Sequence, residues 1–236
     1  MKKGRGAVSA VPFLFGIAFA MLTFLHTAPI HIDTFNTLLR ELAPDLRVRH
    51  IVDEAILREA RDAGRLTEAM QAKVTAQVEA LRDAPVVLCT CSTIGGCAEE
   101  AGAQAGANVI RVDRPMAARA VQMGSRIIVA ATLASTLQPT QDLILDEARR
   151  QAKSIELIEV LCDGAWAKFE QGDRAGYVEA IAQRLRQVVH LGDVIVLAQA
   201  SMADVEREDF GVSVLSSPRI GLRHALAVLK AGPQCD

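Results

Sequence analysis

Residues 84–96 read "APVVLCTCSTIGG", and residues 192–204 read "GDVIVLAQASMAD". Each is a short apolar run that breaks into small polar residues. A run this short, apolar at every position and flanked by turn residues, is the pattern of a strand buried on both faces. The two stretches also resemble one another, and the chain around them extends the likeness. "NVIRVDRPMAARAV" (108–121) is matched by "GVSVLSSPRIGLRHAL" (211–226): a strand, a polar pair, then Pro in the first turn of a helix. "FLHTAPIHIDTFNTLL" (24–39) is matched by "VAATLASTLQPTQDLI" (129–144), and "HIVDEAI" (50–56) by "EVLCDGAW" (159–166). The matches fall in the same order in both halves, and this shared order indicates a duplicated α/β unit.

The remaining runs agree. Apolar segments at Ala18–Leu25, Val48–Val52, Val86–Cys89, Asn108–Val112, Ile127–Ala130, Ile155–Leu161, Val194–Leu197 and Val212–Leu215 alternate with amphipathic stretches such as "TFNTLLRELA", "RLTEAMQAKVTAQVEALRD" and "RAGYVEAIAQRLRQVV". Apolar strands alternating with helices indicate parallel sheets covered on both faces. The expected fold is α/β: two pseudo-symmetric lobes, each a four-stranded parallel sheet flanked by helices, with a cleft between them. Residues 18–114 with 218–236 would form the first lobe and 115–217 the second. Ligands of open α/β sheets sit beyond the carboxyl ends of the strands. The cleft walls would then be the loops His26–Pro29, Cys91–Gly96, Thr132–Thr136 and Gln199–Ala203. These loops can offer hydroxyls and backbone N–H groups to an anion.

Composition narrows the function. Half of the 236 residues are hydrophobic, so a substantial core is available. Aromatics are 4% and the net charge is −2. Few stacking platforms and no basic field argue against nucleic acid as a partner. Five cysteines in a chain of this length read as reduced thiols, which points to a cytoplasmic protein. The N-terminus reads two ways. Lys2, Lys3 and Arg5 followed by an apolar run from Val11 to Leu25 resemble a signal peptide ending near Ala28. Pro29 is poorly placed for cleavage there, and the run is short of the about 20 residues a membrane span needs. The favoured reading is a leader over residues 1–17 followed by the first strand, with no stable membrane association.

Three of the five cysteines lie together, at Cys89, Cys91 and Cys97. Their spacing lacks the CxxC pairs of zinc and redox sites, so no metal is expected. Cys89 lies within the apolar run and Cys97 on the following helix, and both read as packing residues. Cys91 falls where the strand ends and Ser92 and Thr93 open the helix. A helix N-terminus stabilises a thiolate, which makes Cys91 the candidate nucleophile or acid/base.

A strand ending in Cys-Ser-Thr inside a duplicated α/β chain resembles the aspartate/glutamate/hydantoin racemase superfamily. "CST" at Cys91–Thr93 is similar to that family's first catalytic cysteine motif. "ATLAS" at Ala131–Ser135 is similar to its carboxylate-holding Thr-rich loop, and "VLAQASMA" at 196–203 stands where its second cysteine motif falls. The resemblance spans Phe19 to Leu229. It implies a cofactor-independent isomerase or lyase acting on a small carboxylic acid or amino-acid derivative. It also implies substrate-binding roles for His26, Thr27, Ser92, Thr93, Thr132, Ser135, Thr136, Ala200 and Ser201. The departure is Gln199, which stands in the place of the second cysteine. Racemisation by two thiols needs a proton carrier on each face, and a glutamine amide does not titrate. One thiol, Cys91, would then face Gln199, which could hydrogen-bond a carboxylate or a developing negative charge. The alternatives are a non-catalytic carboxylate-binding protein on the same scaffold, or a secreted binding protein for which the N-terminal run is a true signal. A homodimer would be unsurprising.

Other residues carry structural expectations. Asp53 and Asp163, at equivalent repeat positions, read as helix N-caps. "DVEREDF" (204–210) reads as a solvated face. Trp166 and Tyr177 read as packing residues, and Arg219 as a candidate anion ligand.

Overall fold

The computed structural model describes residues 21–232. The leader at 1–17, the start of the first strand at Ala18, the first 20 residues of the alternative signal sequence, and Cys235 lie outside the described residues. Four strands build one sheet: β1 (Met21–His26), β2 (Arg47–Val52), β3 (Val86–Cys89) and β4 (Val109–Arg111). Four more build a second: β5 (Arg126–Ala131), β6 (Glu156–Leu161), β7 (Val194–Leu197) and β8 (Ser213–Leu215). The strand orders are β2-β1-β3-β4 and β6-β5-β7-β8, so each strand of the first sheet holds the position of its counterpart in the second. All pairings are parallel. The α/β fold with two four-stranded parallel sheets is therefore as the repeat predicted.

The central strands are apolar throughout because both of their faces are covered. In the first sheet, Leu22, Phe24, Val86 and Leu88 point to one side. There they meet α1 (Ile30–Leu42) and α9 (Ser217–Ala231) through Phe35, Leu222 and Leu226. Leu25, Val87 and Cys89 point to the other side, against α2 (Glu54–Ala63), α3 (Glu68–Glu79) and α4 (Ser92–Ala105). The second sheet repeats this alternation. Ile127, Val129, Val194 and Val196 pack on α5 (Arg114–Met123) and α6 (Ala134–Arg150). Ile128, Ala130, Ile195 and Leu197 pack on α8 (Arg174–Val188), with α7 (Ala165–Glu170) alongside. A 3₁₀ helix, Ala200–Arg207, follows β7.

The two sheets are tied by an exchange of helices. Helix α5 follows the first sheet but its Met116 and Val121 belong to the core of the second. Helix α9 follows the second sheet but buries Leu222 and Leu226 in the core of the first. Its approach needs Gly221, where a Cβ would lie 2.2 Å from the Val112 carbonyl oxygen. Arg114 adds an ionic tie. It donates to Glu99 on α4 at 2.7 Å and to Asp146 and Glu147 on α6 at 2.8 and 2.5 Å. No helix among the described residues is long and apolar enough to cross a membrane.

Asp53 caps α2 as expected, its carboxylate accepting from Ala55 N–H and Ile56 N–H at 3.1 and 3.4 Å. Asp163 does not cap α7: Gly164 holds the cap position with φ 75°, and Asp163 is exposed in the turn before it. The acidic run is solvated on its charged side, with Glu206, Arg207 and Asp209 exposed. Asp204 pairs with Arg174 at 3.0 Å, Glu206 accepts from Ser216 N–H at 2.5 Å, and Val205 and Phe210 are buried. Arg219 is held by Glu41 at 2.6 Å.

Candidate active site

The central strands of both sheets end at one place, and the segments that follow them enclose a cavity of about 30 Å³. The first sheet's side supplies Thr27 after β1, His31 on α1, Leu57 on α2, and Thr90 to Thr93 after β3. The second supplies Leu133 and Thr136 after β5, Trp166 on α7, and Gln199 to Ser201 after β7. The lobes touch here directly: the Ser92 hydroxyl donates to the Ala198 carbonyl across the boundary at 2.8 Å. Cys91 and Gln199 are the neighbours of these two residues in sequence. Both line the cavity, one from each lobe.

Cys91 is the N-cap residue of α4, in extended conformation (φ −112°, ψ 117°), and its side chain caps nothing. The first-turn N–H groups of a helix have no partner within it. Those of α4 lie at the residues, Ser92 and Thr93, that line the cavity. The partial positive charge of a helix N-terminus favours an anion at such a place. Cys91 as a residue is 8% exposed. Cys89, in contrast, is fully buried inside β3, where burial pushes its thiol far above the ordinary range. Cys97 lies half-buried on α4, away from the cavity lining. Of these three cysteines, Cys91 alone lines the cavity.

Gln199 is held firmly. Its Oε1 accepts from Thr132 N–H at 2.6 Å, from the Thr132 hydroxyl at 3.0 Å and from Leu133 N–H at 3.3 Å. Three donors on one atom fix the amide orientation, because the NH₂ end could accept none of them. The oxygen therefore caps the entry to α6, and the two N–H donors of Nε2 remain for whatever occupies the cavity. This arrangement also explains why Thr132 is absent from the lining: its hydroxyl is turned to Gln199, with the Tyr177 hydroxyl a further 3.4 Å away. Ser135 is also behind the wall, with its Oγ enclosed in the first turn of α6.

His26 does not line the cavity. It is fully buried, with Nδ1 on the Thr90 hydroxyl at 2.7 Å and Nε2 on His50 Nδ1 at 2.9 Å. Burial first, then the neighbouring His31 and His50, hold its pKa at about 3. His31 does line the cavity and is also neutral, held at about 4 by enclosure of its ring and then by the Arg174 cation. No Asp, Glu, Lys or Arg side chain lines the cavity among the described residues. Anion binding there rests on hydroxyls, amides and helix ends.

Of the residues proposed from sequence, Cys91, Gln199, Thr27, Ser92, Thr93, Thr136, Ala200 and Ser201 come together at the cavity. Thr132, Ser135 and His26 stand behind it. Sequence reasoning missed Thr90, His31, Leu57 and Trp166, while Leu133 lies in a loop it assigned to the wall. It also read Trp166 and Tyr177 as packing residues; Tyr177 is fully buried in the second core, with its hydroxyl 2.9 Å from the Ser201 hydroxyl, whereas Trp166 lines the cavity. The repeat held a usable signal. "HIVDEAI" and "EVLCDGAW" occupy equivalent loops, so a large residue early in the second loop was a candidate for the shared cleft.

No family model matches the sequence, and no curated protein matches it. The fold does match solved structures. Glutamate racemase from Bacillus anthracis aligns with a TM-score of 0.69 and 18% identity over 90% of this chain and 82% of that one. Allantoin racemase from Klebsiella pneumoniae aligns at 0.66 and 16% over 90% and 88%. A glycine-to-cysteine mutant of arylmalonate decarboxylase, in a sulfate-associated form, aligns at 0.54 and 14% over 91% and 97%. The chain has the fold of these solved racemase and decarboxylase structures. Its cavity is lined by one cysteine, Cys91, and one glutamine, Gln199.

Proposed function

We propose that the protein is a cofactor-independent isomerase or lyase that acts on a small carboxylic acid or amino-acid derivative through Cys91 alone. The observation that carries this reading is that Cys91 and Gln199, each supplied by a different lobe, line one cavity. The racemases and the decarboxylase of like fold support the reaction class. A carboxylate seats among Ser92, Thr93 and Thr136 and the helix ends of α4 and α6. Loss of a proton or of CO₂ from the adjacent carbon leaves a carbanion whose charge spreads onto that carboxylate. Donors already aimed at the oxygens lower the cost of this charge. The Nε2 donors of Gln199 add to them. Cys91 delivers or removes the proton on its own face. Gln199, supplied by the other lobe, has an amide that does not titrate and so carries no proton between states.

The test is a panel of amino acids, hydantoins, malonates and maleate followed by proton NMR in D₂O. One-thiol chemistry predicts deuterium entering the reacting carbon from a single face, with one stereoisomer of product. Efficient interconversion of two enantiomers would require a second proton carrier and would contradict the mechanism. Binding without turnover of any member would favour a carboxylate-binding protein on the same scaffold.

A further inference from the structure

We propose that His31 takes up a proton from solvent as a carboxylate enters the Cys91 cavity, and that the resulting imidazolium is the cation that holds the ligand there. The inference rests on the carboxylate reading of the cavity and supplies the charge which that reading lacks. A carboxylate that leaves water is costly to bury without a counter-charge. Among the described residues, no Asp, Glu, Lys or Arg side chain lines the cavity. Two lining side chains can change charge near neutral pH, Cys91 and His31. A Cys91 thiolate would repel the ligand. Only the His31 ring can become positive.

Its placement suits this task. His31 stands in the first turn of α1, half-buried, with its side chain in the cavity lining. Among the described residues, no hydrogen bond holds either ring nitrogen. His26, in contrast, has both nitrogens engaged, on Thr90 and His50. The neutral His31 ring therefore has one N–H donor and one proton-accepting nitrogen left for a ligand. Without a ligand its pKa is about 4, lowered first by burial and then by Arg174 of α8. Arg174 is itself paired with Asp204 of the 3₁₀ helix at 3.0 Å. The other groups nearby are few. Neutral His26 of β1 lies 6.3 Å away between ring centroids, with His50 of β2 bonded beyond it. Cys91 of α4 shares the lining, and α7 contributes uncharged Trp166. On α1 itself Asp33 is exposed, and Glu41 pairs with Arg219 of α9 at the far end. No carboxylate of the protein offsets the lowering of the ring's pKa. A bound one would. An opposite charge within about 4–6 Å moves a pKa by roughly 1–3 toward the charged form. A cavity of about 30 Å³ keeps its occupant within that reach of a lining ring. The pKa of His31 in the complex then lies between about 5 and 7. Between the ligand-free and bound values the complex holds more protons than the empty protein, so affinity rises as the pH falls through that window. The same imidazolium faces the negative charge that spreads onto the carboxylate during reaction. The proton returns to solvent when the product leaves.

The test needs no turnover. Protein labelled with ¹⁵N-histidine is titrated from pH 8 to pH 5 with saturating formate, which stays ionised over this range, and with chloride at equal ionic strength. In chloride the His31 nitrogens should stay neutral down to pH 5. In formate they should move to imidazolium shifts with a midpoint near pH 6, while His26 stays neutral. Formate should accordingly bind about tenfold more tightly at pH 5 than at pH 8. Cys91→Ser should keep this dependence, which separates the ring from the thiol. H31N and H31F should each abolish it, and their affinity at pH 5 should fall to the native level at pH 8. Formate bound beside a neutral His31 at pH 5, or a pH dependence that survives in H31N or H31F, overturns the proposal and leaves the carboxylate reading standing. If neither formate nor any carboxylate of the D₂O panel binds, the carboxylate reading fails and this inference falls with it.

Discussion

At the scale of residues, Gln199 separates this cavity from one with two thiols. Its oxygen satisfies the Thr132 and Leu133 amides and its Nε2 is left for a ligand. These two tasks can be pulled apart by Gln199→Glu. The carboxylate keeps the acceptor at the entry to α6, where a helix N-terminus favours negative charge by roughly 0.3–1 kcal/mol. Thermal stability should therefore be unchanged or slightly raised. The donors are lost and a like charge faces the ligand, so malonate protection of Cys91 against iodoacetamide should weaken at least tenfold. Equal protection would show that Gln199 plays no part in binding. Cys91 was legible in the sequence because its signal is local: an apolar run, its end, and small residues opening a helix. Thr90 and His31 were not, because what they face depends on side-chain directions and on loops distant in sequence. Thr132 was misplaced for the same reason. A threonine in the right loop can point at the ligand or at the residue behind it, and here Gln199 draws it away.

At the scale of elements, the repeat read from four pairs of segments proved to be two sheets of identical strand order. Strands were legible because burial on both faces makes them apolar without interruption. Helix caps were less so: Asp53 and Asp163 align in sequence, but the glycine after Asp163 adopts φ 75° and takes over the start of α7. The exchange of α5 and α9 is held by close packing at Gly221. Gly221→Ala places a methyl group against the Val112 backbone carbonyl, which cannot move cheaply. Overpacking of this kind costs about 1–3 kcal/mol. Urea unfolding should show a loss of that size. No loss would mean that α9 has space to retreat and that the contact does not set its position.

At the scale of the whole molecule, fully buried His26 and cavity-lining His31 give stability a defined response to acid. His26 and His31 have folded-state pKa values of about 3 and about 4, both below the unfolded value. The unfolded chain therefore binds more protons between these values and pH 6.5, so stability is full above pH 6.5 and falls as the pH is lowered. Each histidine that must stay neutral contributes a slope of up to about 1.4 kcal/mol per pH unit in that window. Urea midpoints should fall steadily between pH 6.5 and 4, and less steeply in His26→Phe. A flat profile would mean that the rings are solvated.

The central claim is that one thiol carries the chemistry of both lobes, and Cys91→Ser tests it most directly. The change keeps the shape and nearly the size of the side chain, but a serine hydroxyl supplies no anion near pH 7. Turnover of the carboxylate found in the D₂O panel should fall at least a thousandfold while its binding and the urea midpoint stay near native. Turnover within tenfold of native in Cys91→Ser would contradict the account.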